Sequence, residues 1–129
     1  MKRKNVSTGA PWESIVGYSR AVRTGPLVHV AGTAAVGPDG RTVAPGDGGA
    51  QARYILGIIE AALAEAGATL EHVTRTRVYV TDISQWEAIG RAHGERFGAI
   101  RPASTMVEVS KLIAPDMVVE IEVEAWVEE

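Results

Sequence analysis

Two segments of the chain repeat hydrophobic residues at steps of three and four positions, which is the period of an amphipathic helix. The longer segment spans residues 49–68, and Gly67 near its end is suited to a helix C-terminus. The shorter segment spans residues 82–98, and Asp82 and Ser84 near its start match N-terminal capping patterns. The pattern therefore predicts two helices, each with one face buried against a core.

Four further segments have the composition or the alternation of β-strands, at residues 26–36, 73–82, 103–109 and 117–127. A stretch rich in Gly, Pro and Asp at residues 37–49 predicts a loop before the first helix. The resulting order is two or three strands, a helix, a strand, a helix and two strands. This order predicts a single α+β domain over residues 1–129, a two-layer sandwich with a mixed or largely antiparallel sheet covered on one face by two helices.

The last strand alternates between hydrophobic and acidic residues, so its two faces differ in character. One face carries Val119, Ile121, Val123, Ala125 and Val127, and the other carries Glu120, Glu122, Glu124 and Trp126. We expect the hydrophobic face beneath the helices. The acidic face either contacts solvent or packs against another subunit. Arg75 and Arg77 are its candidate cross-strand partners, and the tryptophan favours a covering partner.

Composition argues against several classes of function. The 129 residues include 13 Lys and Arg against 16 Asp and Glu, a net charge of −3, without a basic block suited to nucleic acid. There is no cysteine, and neither the histidines nor the glycine-rich loop match a metal-binding or phosphate-binding motif, so no metal or cofactor is expected. The N-terminal segment lacks the hydrophobic stretch of a signal peptide, and no hydrophobic run suits a membrane. We expect a cytoplasmic protein.

Several segments between Ile15 and Val127 occur in a recognisable order: IVGYSRAV, VHVAGT, QARYILGIIEAALAEAG followed by VTRTRVYVTDI, and RPASTMVEVSKL followed by VEIEVEA. In this order they resemble the reactive intermediate deaminase (Rid) family, also called RidA-like or YjgF-like. The resemblance implies a chorismate-mutase-like fold and a homotrimer, with a central barrel of sheets and a small-molecule cleft at each subunit interface. Well-studied members hydrolyse enamines and imines such as 2-aminoacrylate to a keto acid and ammonia.

The resemblance also implies site residues. Glu120 corresponds to a late glutamate that helps to position the attacking water, and it is the candidate catalytic residue. Tyr18 corresponds to a pocket tyrosine, although Gly17 stands where the family has proline. Ala31 and Gly32 replace the Ser-Gly pair after the early strand, so these residues are expected to contact the substrate.

The family signature Pro-Ala-Arg-Ser-Cys is altered here, because Ser104, Thr105 and Met106 stand where it has Arg-Ser-Cys. All three are candidate substrate-binding residues. The family arginine grips the substrate carboxylate through two charged hydrogen bonds, whereas a serine hydroxyl offers one neutral donor. Arg101 lies on the opposite strand parity and before a proline, so we expect a loop arginine. The substrate is therefore expected to lack the carboxylate, or to use another cation.

Three functions follow, in decreasing order of support. The first is a homotrimer that hydrolyses a small reactive metabolite of enamine or imine type in intersubunit clefts. The second is a non-catalytic small-molecule-binding or regulatory protein on the same scaffold, since a shared fold does not establish a shared reaction. The third is an endoribonuclease, which the absence of a basic groove with stacking aromatic residues disfavours.

Overall fold

The computed structural model describes residues 2–128. Within this range six strands form one sheet: β1 (Arg3–Val6), β2 (Ala21–Thr24), β3 (Leu27–Ala34), β4 (Val73–Val80), β5 (Ala103–Glu108) and β6 (Val119–Trp126). The two α-helices are α1 (Gly48–Glu65) and α2 (Trp86–Phe97). The strand order across the sheet is β1-β2-β3-β6-β4-β5. β4 and β5 pair in parallel and the other neighbours pair antiparallel, so the sheet is mixed.

The two helices pack together on one face of the sheet and enclose the hydrophobic core. β6 lies near the middle of the sheet and buries Ile121 completely. α1 contributes Ile55 and Ala62 to the same core, as its three- and four-residue period predicts. The predicted α+β sandwich, with two helices on one face of a mixed sheet, is confirmed.

Both ends of α1 have residues that commonly cap helices. The Asp47 carboxylate accepts a hydrogen bond from the Ala50 N–H at 3.1 Å, which satisfies one free donor of the first turn. At the other end Gly67 has a φ of +80°, the left-handed conformation that glycine adopts without strain, and the predicted helix terminus is confirmed there.

Two glutamates on the acidic face of β6, Glu122 and Glu124, are paired with arginines. Arg77 of β4 contacts Glu124 at 2.8 Å and Glu122 at 3.6 Å, and Arg75 lies 3.8 Å from Glu124. The predicted cross-strand pairing with Arg75 and Arg77 is therefore confirmed. Trp126 on this side keeps 50% of its surface exposed within one chain.

The start of α2 differs from the sequence-based expectation, and β1 and β2 lie outside the four predicted strand segments. The segment predicted as a helix from Asp82 begins with a 3₁₀ turn at Ile83–Gln85, and α2 starts at Trp86. The Asp82 carboxylate accepts from the Ser84 N–H at 3.0 Å, so it caps that turn instead of the helix. β1 was not predicted, because its first three residues are polar and exposed and it exists through pairing with β2. No helix within residues 2–128 is long and apolar enough to cross a membrane.

Candidate functional site

The structure separates the seven predicted site residues into two groups. Tyr18, Ala31, Gly32 and Glu120 lie where β3, β6 and the segment before β2 meet. The others form the β5 group: Ser104, Thr105 and Met106. β6 and β4 lie between β3 and β5 in the sheet, so a single chain does not bring the two groups together.

A cavity of about 510 Å³ contains most of the first group. One side, called here the charged wall, consists of Tyr18, Arg20, Gly32, Thr33 and Glu120. Most of the remaining lining is hydrophobic, and its large side chains are Trp12, Val16, Tyr54, Ile58 and Ile113. Small-molecule sites are typically concave and apolar with a few placed polar groups, and this cavity has that character.

Gly32 leaves the space that the Glu120 carboxylate occupies. The register of β3 with β6 shifts between Val30 and Thr33, which moves Gly32 out of regular pairing. A Cβ atom at position 32 would lie 2.5 Å from Glu120 Oε2. A glycine is therefore required here for the carboxylate to keep this position.

The Glu120 carboxylate is half-buried and accepts no hydrogen bond from any residue in 2–128. Burial raises the pKa of Glu120, the positive charge of Arg20 opposes this shift, and the neighbouring Glu122 adds to it. An acceptor with free lone pairs, facing a concave space, can bind a water molecule or a ligand N–H. Glu120 therefore offers this cavity an acceptor that no described side chain uses.

Arg20 organises the charged wall, and the sequence analysis missed it. Its Nη1 donates to the Gly32 carbonyl oxygen at 2.7 Å and to Thr33 Oγ1 at 3.0 Å. Its Nη2 donates to Tyr18 Oη at 3.2 Å. The only sequence signal was its place two residues after Tyr18 in a segment that the resemblance had already marked. Burial of an arginine cannot be foreseen from such a signal, because charged residues are usually exposed.

The counter-charge of Arg20 is Glu13, in the short π-helical turn Glu13–Gly17. The two side chains are 6% and 7% exposed, and Arg20 Nε lies 4.0 Å from Glu13 Oε2. Burial alone would raise the pKa of Glu13, but hydrogen bonds from Thr8 and Ser7 outweigh it and leave the pKa below its ordinary value. Glu13 is therefore a carboxylate at neutral pH.

The β5 group lacks a charge. The fully buried Thr76 of β4 places its Oγ1 2.7 Å from Ser104 Oγ and 2.9 Å from His93 Nε2 on α2. Burial lowers the pKa of His93, which keeps the imidazole neutral at pH 7. Met106 packs partly against the core. Thr105 is exposed and pairs with Arg77, so its side chain lies on the opposite face.

Arg101 is a loop residue, as predicted, and its backbone differs from the extended form favoured before proline. Its φ is +56° in the left-handed region, and its N–H donates to the Phe97 carbonyl at 2.8 Å, just after α2. Its Nε donates to the Gly98 carbonyl at 3.2 Å. This arginine helps to terminate a helix.

A second depression of about 380 Å³ lies on the side of the sheet opposite the helices. Ala31 borders this depression together with His29, Arg77 and Glu122, whereas Gly32 borders the larger cavity. Tyr18 borders both. Within residues 2–128 no cluster of His, Asp and Glu side chains has the arrangement of a metal site.

Comparisons with known proteins identify the relatives of this chain. Residues 8–127 match the family described as Endoribonuclease L-PSP. The chain is 39% identical over 123 residues to SCO2049 of Streptomyces coelicolor, which covers 95% of this chain and 91% of the relative. It is 33% identical over 104 residues to the 3-aminoacrylate deaminase RutC of Acinetobacter baylyi, covering 81% and 82% of the two chains.

Solved structures give the same result. Rv2704 of Mycobacterium tuberculosis, described as a member of the YjgF/YER057c/UK114 family, superimposes with a TM-score of 0.89 at 55% identity, covering 98% of this chain and all of the other. The YjgF protein of E. coli gives a TM-score of 0.83 at 29% identity, with 95% and 98% covered. The fold is the chorismate-mutase-like fold of these neighbours. The chain belongs to the Endoribonuclease L-PSP family, the family of the YjgF and Rid proteins.

Proposed function

We propose that this protein hydrolyses a small enamine or imine to a carbonyl compound and ammonia, with Glu120 acting on the attacking water. One observation carries the proposal. A half-buried carboxylate without a hydrogen-bond donor from residues 2–128 borders a largely hydrophobic cavity, above a glycine that makes room for it. A carboxylate with a raised pKa is a stronger base than an ordinary one, which suits proton abstraction from water.

The reaction balances with one water molecule. The water oxygen forms a bond to the imine carbon while Glu120 accepts a water proton, and the nitrogen takes a proton from the solvent to give a carbinolamine. Glu120 then returns its proton to the amine nitrogen. The carbon–nitrogen bond breaks, ammonia leaves, and the hydroxyl proton returns to the solvent to produce the carbonyl. The catalytic group ends in its starting state, as general acid–base catalysis requires.

We further propose that the working unit is a homotrimer with a cleft at each subunit interface. Two features support this assembly. The β5 group lies at a sheet edge, away from the charged wall, so a second copy is needed for both groups to contact one ligand. Trp126 and the adjacent β6 side are partly open in one chain, and an exposed tryptophan favours a covering partner.

The relative in Acinetobacter baylyi supports the choice of reaction class, because its name is 3-aminoacrylate deaminase. The family name also mentions an endoribonuclease, but the sheet face that carries Glu122 and Glu124 offers RNA little net positive charge. Its arginines Arg75 and Arg77 are ion-paired with Glu122 and Glu124.

An ammonia-release assay tests the proposal. Imines generated in situ from several amino acids and amines are supplied to the natural protein, to Glu120→Ala and to the control Glu95→Gln. Glu95 forms an exposed ion pair with Arg53 on the helical side. We expect release by the natural protein and the control, and none above background by Glu120→Ala. No release from any imine, with a small ligand still bound, would instead support the non-catalytic binder. Cleavage of an RNA substrate would support the endoribonuclease.

Light scattering tests the assembly separately. A mass about three times 13.7 kDa is expected at micromolar concentration. A monomer would remove the role of the β5 group in the site, because that group would then face solvent alone.

A further inference from the structure

We propose that the ligand of the charged wall is electrically neutral, and that Glu13 and Arg20 are positioning residues which fix the Tyr18 hydroxyl as a hydrogen-bond donor to it. This inference rests on the proposed function for the location of the site and goes beyond it by naming the ligand class and two further residues. It is carried by the hydrogen bonds and the charge balance of the cavity.

The direction of the Tyr18 hydroxyl is fixed by its neighbour. A guanidinium can only donate hydrogen bonds, so Tyr18 Oη must accept the one from Arg20 Nη2. The phenolic proton is then left to point elsewhere, and it has no acceptor within residues 2–128. Since Tyr18 borders the cavity, this proton is available to a ligand oxygen or nitrogen that accepts a hydrogen bond.

Arg20 itself is poorly placed to hold an anion. Both of its Nη1 donors and one Nη2 donor are directed at protein oxygens, and the side chain is 6% exposed. Its charge is already matched by Glu13, which is buried beside it and held ionised by hydroxyl donors. The guanidinium therefore supports the wall of the cavity, and its positive charge is compensated inside the chain.

The remaining ionisable group of the charged wall disfavours an anion as well. Glu120 has no hydrogen-bond donor from the described chain, and a ligand carboxylate beside it would place a second negative charge in a poorly solvated space. With Glu13 negative and Arg20 positive, ionised Glu120 leaves a net charge of −1 around the cavity. The β5 group adds a neutral hydroxyl at Ser104, bonded to Thr76. Tyr18, Glu120 and Ser104 together thus favour a neutral ligand that accepts from Tyr18 and donates to Glu120.

The positioning role predicts a specific effect of Glu13→Gln. Removing its negative charge leaves the buried Arg20 uncompensated, so an anionic ligand should gain affinity while a neutral one should not. Tyr18→Phe has a different predicted effect, since it removes the donor without altering any charge. A merely structural role for the Glu13–Arg20 pair would weaken both kinds of ligand together.

Ligand-observed NMR titrations of the full chain with propionamide and propionate at pH 7 test these effects without requiring turnover. We expect the natural protein to bind propionamide more tightly than propionate. Tyr18→Phe should weaken propionamide about three- to tenfold, the effect of one neutral hydrogen bond. Glu13→Gln should strengthen propionate about tenfold. The control Glu95→Gln removes an exposed carboxylate of an ion pair on the helical side and should change neither.

Arg20→Lys keeps the proposal testable if Glu13→Gln fails to fold. Lysine retains the charge but loses the second guanidinium nitrogen that reaches Tyr18, so Arg20→Lys should weaken propionamide binding about as much as Tyr18→Phe does. The double variant that combines Arg20→Lys with Tyr18→Phe should bind propionamide no more weakly than either single variant. Tighter binding of propionate than of propionamide by the natural protein would overturn the proposal. So would additive losses in the double variant. Since binding is measured directly, an inactive protein that shows the predicted selectivity refutes the proposed reaction and leaves this inference standing.

Discussion

The charged wall and the β5 group differ in how their polar side chains are held. In the charged wall, Arg20 is buried, directs three hydrogen bonds at neighbouring groups, and has its charge compensated by Glu13. In the β5 group, Ser104 is an exposed neutral residue whose hydroxyl is bonded to the buried Thr76. The charged wall therefore contains a positive charge, at Arg20. The β5 group has none, because Ser104 stands where the family signature has arginine.

The difference shows that the number of arginines near the site does not determine whether a substrate with a carboxylate can bind. An arginine that binds a carboxylate must have free donors in a fork geometry and an uncompensated charge. Arg20 has a compensated charge and directs three of its Nη donors at protein oxygens, while Ser104 has no charge at all. Family membership therefore supports the reaction class, whereas the local hydrogen bonds decide which ligands the site can hold.

The largest expected effect comes from removing the carboxylate of the charged wall. Glu120→Ala should lower kcat/KM for the best imine substrate by roughly 10²–10⁴, the usual contribution of general acid–base catalysis. Steady-state ammonia release measures it. The matched change Glu122→Ala removes an acid from the same strand face that is hydrogen-bonded to Tyr79, so its effect should be much smaller. Equal losses in both variants would mean that the acidic face acts as a whole.

Gly32→Ala tests whether the Glu120 carboxylate needs the space that Gly32 leaves for it. Gly32 does not have the positive φ that alanine would resist, so the new methyl group mainly displaces Glu120 Oε2, from which it would lie 2.5 Å. We expect kcat/KM to fall roughly tenfold to a hundredfold, because a displacement of about 1 Å can cost that much. Stability should change by less than about 1 kcal/mol, since the displaced atoms end a flexible side chain.

The control for this change is Gly57→Ala on α1, where a Cβ meets no atom within 4 Å. It should leave activity unchanged and stabilise the helix slightly, because alanine has the higher helix propensity. If Gly32→Ala keeps full activity, the position of Glu120 above Gly32 is not the reactive one.

Ser104→Arg would give the β5 group the charge that it lacks. We expect kcat/KM for imines that carry a carboxylate to rise about tenfold, the value of a charged hydrogen bond, with little change for neutral imines. Competition between one imine of each kind in the same assay measures the ratio directly. Ser110→Arg places the same charge on an exposed residue beyond β5 and should leave the ratio unchanged. An unchanged ratio for Ser104→Arg would place the β5 group outside the cleft.

The main helices and strands could be predicted because the patterns that indicate them are local in the sequence. Alternation in β6 and the period of α1 place Ile121 and Ile55 in the core without knowledge of any neighbour. The end of α1 at Gly67 likewise follows from the chemistry of one residue. β1 was missed because a polar edge strand has no such pattern and depends on β2 for its pairing.

The charged wall was only partly predictable for a similar reason. Glu120 and Gly32 occupy recognisable motifs, but their contact depends on a register shift that no local pattern reveals. The Glu13–Arg20 pair joins residues of unrelated segments, and its burial depends on the turn at Glu13–Gly17. Charged residues are expected on the surface until such a partner is seen. The family resemblance therefore nominated Glu120 and Gly32, whereas the buried ion pair beside them could not be read from the sequence.

The smallest expected effect is on the free energy of unfolding, which should change in opposite directions when Glu120 and Glu13 are replaced by glutamine. Burial raises the pKa of Glu120, so the folded state binds its proton more tightly than the unfolded chain, and the carboxylate costs stability once the pH exceeds its ordinary value of 4.5. Glu120→Gln removes this cost, so the unfolding free energy of the variant should match that of the natural protein near pH 4 and exceed it at pH 7. Urea unfolding at both pH values and one protein concentration measures the difference.

Glu13→Gln should show the opposite sign, because the pKa of Glu13 is lowered in the fold and its stabilisation is present above the ordinary pKa and lost as the pH falls. The same sign for both variants would contradict the distinction between Glu13, whose carboxylate is stabilised inside the fold, and Glu120, whose carboxylate is available to a ligand.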